Sequence, residues 1–276
     1  MKRLWIVLAT VLALVAIGAY FWLRQAPPQL PPPVPVVSAP AIAPPPATVA
    51  PEPAIQFPVP PPPGMTKLPP IEQADDFVKE QVTDLFGAKT VLADLQLDNF
   101  VRRVVATVDN LARPLAPPGR WPIHPTPGRF TVETVNGTSV IGAANAARYL
   151  PFVTLVEAVD SERAVALYRE LYPLFQSAYE GLGYPGKYFN DRLIAVIDLL
   201  LDTPEPPGAL LVEVPEIRGP LIPTRLWLLY RFSDPALEGL SSGQKILLRA
   251  GMENRKRLKL KLAEIRKLIA QEKVGR

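Results

Sequence analysis

The most strongly helical part of the chain is residues 160–182, DSERAVALYRELYPLFQSAYEGL. Its apolar side chains recur every three to four residues, as they do on an α-helix with one buried face. These side chains are Ala164, Leu167, Tyr168, Leu171, Phe175, Ala178, Tyr179 and Leu182. Asp160 stands where an N-cap belongs, and Gly181 stands near the end of the pattern. We expect one long helix that Pro173 kinks.

The same periodicity extends outward on both sides of this stretch and predicts most of residues 71–276 to be helical. Further helices are expected over residues 71–86, 143–159, 244–249 and 252–272, and the one over 143–159 has a second segment that starts at Pro151. Two more are expected, one from a cap at Asp98 to Pro114 and one from Asn190 or Asp191 to residue 201. A β-hairpin is expected around Asn136-Gly137, because this pair favours a type I′ turn. Short strands are expected over residues 210–214 and 226–232. The sequence therefore predicts a mainly α domain with small β-hairpin elements.

A membrane anchor is predicted for residues 1–25. The run from residue 4 to residue 23 is apolar and uncharged, which is about the length that spans a bilayer as a helix. Lys2 and Arg3 precede it, and this charge bias favours a cytoplasmic N-terminus. We expect a single-pass protein of the bacterial inner membrane with its C-terminal domain in the periplasm.

A proline-rich linker is predicted for residues 26–70, which contain 19 of the 35 prolines. Proline fixes φ and removes an amide donor, so these residues favour polyproline II over helix or sheet. We expect a semi-rigid spacer that holds the domain over residues 71–276 away from the membrane. A ligand for a proline-binding groove is the alternative.

Composition excludes several kinds of chemistry. The chain has no cysteine, and its only histidine, His124, lies in a proline-rich loop, so no metal site and no cofactor are predicted. Residues 181–188 nearly match a phosphate-binding loop, but Tyr188 replaces the required hydroxyl residue, so no nucleotide is expected. Nucleic acid is not expected either.

Residues 245–276 carry 11 basic and three acidic side chains. These cations could face anionic surfaces, or they could balance the acidic remainder of the domain.

A candidate binding surface surrounds the end of the helix quoted first. Tyrosines combine an apolar ring with a polar tip and can line a groove for sugar or peptide, and those predicted to lie off the core stripe are the better surface candidates. The candidate binding residues are Tyr172, Tyr184, Tyr188, Asn190, Asp191 and Arg192. No catalytic residue is assigned. Paired carboxylates, such as Asp191 with Asp198 or Glu157 with Asp160, are the alternative, since glycan cleavage uses such a pair.

The chain resembles an uncharacterised bacterial family, a domain of unknown function whose members share an N-terminal anchor, a proline-rich stretch and one exported domain. The resemblance covers about residues 71–270 and rests on three sequence motifs. They are YPLFQ at residues 172–176, LGYP at 182–185 and FNDRL at 189–193. The resemblance implies a class of protein and a location but no reaction.

We therefore expect a membrane-anchored cell-envelope protein with a non-enzymatic binding or scaffold domain and a cell-wall or envelope-protein partner. A glycan-cleaving envelope enzyme is one alternative. A TonB-like linker protein is another, although the alternating Glu-Pro and Lys-Pro blocks of such proteins are missing here.

Overall fold

A computed structural model describes residues 55–60, 68–216 and 224–270 of the chain. The chain divides into two compact units, residues 1–50 and 51–276, and every described residue belongs to the second. The predicted anchor and most of the predicted linker lie outside the described residues. Within the described part of the chain, no helix combines the length and the apolar character that crossing a membrane requires.

The described residues are mainly helical, as predicted, with two small antiparallel strand pairs. The α-helices are α1 Asp75–Phe86, α2 Ala88–Asp94, α3 Phe100–Leu111, α4 Ala143–Ala147, α5 Leu150–Ala158, α6 Ser161–Glu170, α7 Tyr172–Gly181, α8 Phe189–Leu201, α9 Pro235–Glu238, α10 Ser242–Arg249 and α11 Met252–Ala270. The strands are β1 Val132–Val135, β2 Thr138–Ile141, β3 Val212–Glu213 and β4 Arg231–Phe232.

Helix α8 lies near the middle of the domain, where it contacts α3, α7, α10 and α11. Its apolar residues supply two faces: Val196 and Leu200 pack with Val153 of α5, while Ile194 and Ile197 pack towards α6 and α11. A separate cluster joins α1, α2, α3 and α7. This arrangement fixes the start of α8 beside the end of α7, which positions the candidate site.

The predicted long helix over residues 160–182 is wrong in one respect, because it is two helices. Asp160 caps α6 as expected, with its carboxylate accepting the Arg163 N–H at 2.8 Å. Helix α6 ends at Glu170, and α7 begins at Tyr172 with Pro173 in its first turn. Proline has no N–H to donate to the carbonyl four residues back and fits best at a helix start, so it divides the helix instead of bending it.

Two predicted helix starts are also corrected. Asp98 does not cap α3, because the helix begins at Phe100 after Asn99, whose φ is +54° and whose side chain makes no capping bond. Helix α8 begins at Phe189, and neither Asn190 nor Asp191 caps it. Both side chains bond to a different segment of the chain.

The β-hairpin is confirmed. Strands β1 and β2 pair antiparallel with Val135 opposite Thr138, and Asn136 and Gly137 take φ values of +50° and +79°. Positive φ at both turn positions defines the type I′ turn that Asn-Gly favours.

The two later strands are shorter than predicted. Strand β3 pairs with β4 through only two residues each, and Leu226–Leu228 forms a 3₁₀ turn instead of a strand. Val212 and Phe232 are buried opposite each other, whereas Leu228 is 67% exposed. Pairing therefore ends where the side chains no longer pack against the core.

The basic C-terminal segment is paired to the rest of the domain. Arg257 contacts Glu157, Lys259 contacts Glu205 and Arg266 contacts Asp198. These acids lie on α5, on the loop after α8 and on α8, so the structure favours the reading in which the cations balance the acidic remainder of the domain.

Candidate functional site

A turn joins α7 to α8 over residues 182–188. Gly183 and Gly186 take φ values of +107° and +71°, a conformation that glycine adopts without steric cost. Between them Tyr184 folds back, so that its ring stacks on that of Tyr179 with centroids 4.6 Å apart. The sequence that nearly matches a phosphate-binding loop is thus a turn between two helices, and no strand precedes it.

A segment from the predicted linker, residues 55–60, lies against the first turn of α8; we call it the docked segment. Asp191 accepts two consecutive backbone N–H groups through its two carboxylate oxygens, from Gln56 at 3.0 Å and from Phe57 at 2.8 Å. Charge-assisted bonds of this kind are stronger than bonds between neutral groups. One side chain of α8 therefore holds two backbone groups of the docked segment.

Two further side chains complete the contact with the backbone. The Asn190 side-chain amide donates from Nδ2 to the Phe57 carbonyl at 2.9 Å, and the Tyr188 hydroxyl accepts the Val59 N–H at 2.7 Å. All four bonds reach main-chain atoms of the docked segment. No bond is needed at Pro58, which has no N–H to donate.

Alternate side chains of the docked segment pack into the domain. Phe57 packs against the cluster formed by α6, α8 and α11, and Val59 packs against the separate cluster that includes α1, α3 and α7. Gln56, Pro58 and Pro60 are exposed between them. The segment is therefore held by its backbone and by two apolar side chains.

Asn190 is oriented by the tyrosines beneath it. It is completely buried, and its Oδ1 accepts a bond of 2.9 Å from the Tyr168 hydroxyl. That bond leaves Nδ2 to face the docked segment. Burial raises the pKa of Tyr168 and of Tyr172 above the ordinary value, so both hydroxyls stay protonated. A protonated Tyr168 can donate at any physiological pH.

A buried carboxylate lies beside the docked segment. Asp109 of α3 is 3% exposed and is paired with Arg113 at 2.7 Å and with Arg192 of α8 at 2.9 Å. The Tyr184 hydroxyl lies 3.2 Å from the same carboxylate and also contacts Arg113. The bond from Asp109 is the main cause that raises the pKa of the Arg113 guanidinium. This cluster connects α3, α8 and the turn between α7 and α8.

A cleft of about 430 Å³ opens between this charged cluster and the docked segment. It is lined by Ile55, Gln56, Asp109, Tyr179, Tyr184, Gly186, Lys187, Tyr188, Asp191 and Arg192. Lys187 lies with its ammonium 5.5 Å from the Tyr184 ring centroid. The cleft thus lies beside Ile55 and Gln56 of the docked segment and offers aromatic rings with cationic side chains.

The structure brings together four of the candidate residues, Tyr184, Tyr188, Asp191 and Arg192, which all line the cleft. Asn190 lies beneath it and bonds the docked segment. The expectation that Tyr172 lies at the surface is wrong: it is 8% exposed, and its hydroxyl bonds to Gln176 at 3.0 Å. Its ring packs edge-on against Tyr168, so it supports the site from below.

Asp109 is the site residue that sequence reasoning missed. It lies four residues after Val105, on the buried face of α3. An acid on an apolar helical stripe is itself a signal, because charged groups are rarely buried unless paired. Arg113 follows four residues later, just past the end of α3, and is its nearest partner in sequence.

Three carboxylates considered for glycan cleavage are held by cations or by backbone groups. Asp198 is paired with Arg266 and Asp191 binds the docked segment. The bond from Arg257 lowers the pKa of Glu157, whereas a general acid needs a raised pKa. Among the residues that the structure describes, no group of three or more His, Asp or Glu side chains is arranged to hold a metal ion.

The chain belongs to the family described as "Protein of unknown function (DUF3014)", which it matches over residues 100–266. This match confirms the resemblance at the level of an uncharacterised family; the anchor and the sequence motifs given for that resemblance stay predictions. The match spans α3 to most of α11 and so includes Asp109 and the turn before α8. Comparison with curated proteins and with solved structures gives no significant match.

Proposed function

We propose that this chain is a single-pass protein of the bacterial inner membrane whose periplasmic helical domain binds short proline-containing peptide segments and does not catalyse a reaction. The observation that carries the proposal is the docked segment. Tyr188, Asn190 and Asp191 make four hydrogen bonds to its backbone, as a peptide-binding groove does.

The contacts define which peptides fit. Backbone bonds supply affinity for any sequence, whereas the positions of Phe57 and Val59 each require an apolar side chain. Position 58 receives no N–H bond, so proline is accepted there. The expected partner is an envelope protein with an exposed segment of the pattern aromatic-Pro-aliphatic-Pro.

The docked segment competes with such a partner because it occupies the same groove. An intramolecular ligand lowers the apparent affinity for an added peptide in proportion to the fraction of molecules whose groove is free. Weakening the docked segment should therefore strengthen binding of a peptide in trans.

The location rests on sequence. The apolar run over residues 4–23, the preceding Lys2 and Arg3, and the proline-rich residues 26–70 support an anchor followed by a spacer. In such an arrangement the domain would reach partners at a distance from the membrane.

A fluorescent peptide with the sequence of residues 54–61, AIQFPVPP, tests the binding proposal. It is added to the full chain in detergent and to the variant Phe57→Ala/Val59→Ala, which loses both apolar contacts of the docked segment. We expect the double variant to bind the peptide at least tenfold more tightly than the unmodified chain.

Asp191→Ala added to the double variant should abolish most of that binding, because two backbone bonds are lost. Asp198→Ala is the matched control, since Asp198 lies two turns along the same helix and contacts Arg266. Equal binding by the Asp191 and Asp198 variants, or no binding by the double variant, would contradict the proposal.

A further inference from the structure

A second cavity, of about 190 Å³, lies at the start of α11 and is separate from the peptide groove. It is lined by Ile141, Gly142, Ala143, Ala146, Pro206, Gly208, Ala209, Leu210, Leu248, Gly251, Met252 and Arg255. Every described lining residue except Arg255 is apolar or glycine. The cavity therefore combines a mainly hydrocarbon wall with one guanidinium.

Arg255 is an unusual residue to find at such a place. It is 3% exposed, and its guanidinium forms no hydrogen bond or ion pair with another residue of the described ranges, although none of its nitrogens is both fully buried and unbonded. Burial lowers the pKa of this arginine, and the charge of Glu205 partly offsets the effect. Glu205 itself is bonded to Lys259 at 2.9 Å. Arginine stays charged in proteins, so the guanidinium presents to the cavity a positive charge that Glu205 offsets only in part.

The backbone at the cavity adds to the positive potential. Gly251 and Met252 line it, and Met252 begins α11, a helix of 19 residues. The first N–H groups of a helix have no partner within the helix, and the macrodipole is positive at that end. Glu253 in the first turn is exposed, does not line the cavity and interacts with Arg257.

We propose that this cavity binds a small monocarboxylate with a short aliphatic chain, whose carboxylate pairs with Arg255 at the start of α11. The planar guanidinium matches a carboxylate in a two-bond arrangement. The aliphatic chain would contact Ile141, Leu210 and Leu248. The volume of the cavity limits the ligand to a few carbon atoms.

Sodium butanoate tests the assignment on the full chain, with butanamide as the neutral analogue of the same shape and sodium chloride for ionic strength. Butanoate at tenfold excess over its Kd should raise the midpoint of thermal unfolding by about 3–6 °C, and butanamide should leave it unchanged. Inorganic phosphate is the third probe. It has the charge but not the chain, so it should give a smaller shift than butanoate.

Arg255→Met should remove the response to butanoate, while Lys256→Met, its exposed neighbour, should keep it. If Arg255→Met does not fold, Ala143→Trp decides the question. Ala143 lines the cavity and is exposed, so a large side chain there narrows the opening and leaves Arg255 intact. Three results would overturn the proposal. They are equal shifts of the unfolding midpoint with butanoate and butanamide, a shift with phosphate alone, and an unchanged response to butanoate in Ala143→Trp.

Discussion

At the residue scale, Asp109 connects α3 to α8 and to the turn before it, beside the peptide groove. Its carboxylate is buried between Arg113, Arg192 and the Tyr184 hydroxyl. Asp109→Ala leaves the two arginines unpaired, and breaking a buried charge pair in this way costs about 3–5 kcal/mol. Both arginines keep some contact with water, so we expect the lower end, about 3 kcal/mol of unfolding free energy, measured by urea denaturation.

Glu72→Ala is the control for this measurement. Glu72 pairs with Arg102 at 3.0 Å, but the two side chains are 69% and 44% exposed. Exposed pairs contribute little, so the change should stay within about 0.5 kcal/mol. Similar losses for the two variants would contradict the role given to Asp109.

Single residues of the site could be predicted where local sequence decides their position. Tyr184, Tyr188, Asp191 and Arg192 lie in the turn after α7 and at the start of α8, so their closeness in sequence predicted that they would cluster. The binding role of Asn190 depends on Tyr168, 22 residues away. The pairing of Asp109 with Arg192 spans 83 residues and depends on how α3 packs on α8. No local pattern determines such distant contacts.

At the scale of elements, α10 packs closely on α3 and α8 at Gly243. A Cβ atom there would lie 2.6 Å from Leu200 Cδ2 and 3.0 Å from the Leu111 carbonyl oxygen. Gly243→Ala should therefore lower the unfolding free energy by about 1–3 kcal/mol through overpacking, even though alanine favours the helix. Urea denaturation checks the value.

Gly181→Ala is the matched substitution. Gly181 ends α7, and a Cβ there meets no atom within 4 Å. We expect unchanged or slightly higher stability, because alanine has the better helix propensity. If Gly243→Ala is equally harmless, α10 is not packed as described.

The ion pairs of α11 predict how stability depends on pH. The bond from Arg257 lowers the pKa of Glu157, and the bond from Lys259 lowers that of Glu205, both from an ordinary value of 4.5. A carboxyl group with a lowered folded-state pKa stabilises the fold above the unfolded pKa and loses that contribution as pH falls through the folded pKa. The variant Glu157→Gln/Glu205→Gln should therefore be less stable than the unmodified chain at pH 7.

The difference in stability between the two proteins should narrow on acidification below pH 4.5. Urea denaturation of both proteins at pH 7 and at several acidic values gives the comparison. A difference that stays constant over this range would show that the two carboxylates do not stabilise α11 through their charge.

Elements with a regular apolar period were predictable, and interruptions of that period were not. Helices α1, α5 and α11 lie within the ranges 71–86, 143–159 and 252–272 that were predicted to be helical. The break between α6 and α7 depends on whether packing tolerates a kink at Pro173, which periodicity does not reveal. Strands β3 and β4 are short because tertiary packing, not propensity, limits their pairing.

At the scale of the whole molecule, the proposed location has a direct test. The charge bias around residues 4–23 predicts that Arg276 lies in the periplasm. An alkaline phosphatase, which is active only after export, should be active when fused after Arg276 and inactive when fused after a chain whose residues 4–23 are deleted. Activity of a cytoplasm-only reporter at the same position would contradict the location.

The central claim is that Tyr188, Asn190 and Asp191 bind the backbone of the docked segment, and amide hydrogen exchange measured by NMR tests it most directly. The N–H groups of Gln56, Phe57 and Val59 are bonded, so we expect them to exchange more slowly than unstructured amides. In Asp191→Ala the protection of Gln56 and Phe57 should be lost, whereas Asp198→Ala should retain it. Exchange of these three amides at unprotected rates in the unmodified chain would contradict the claim.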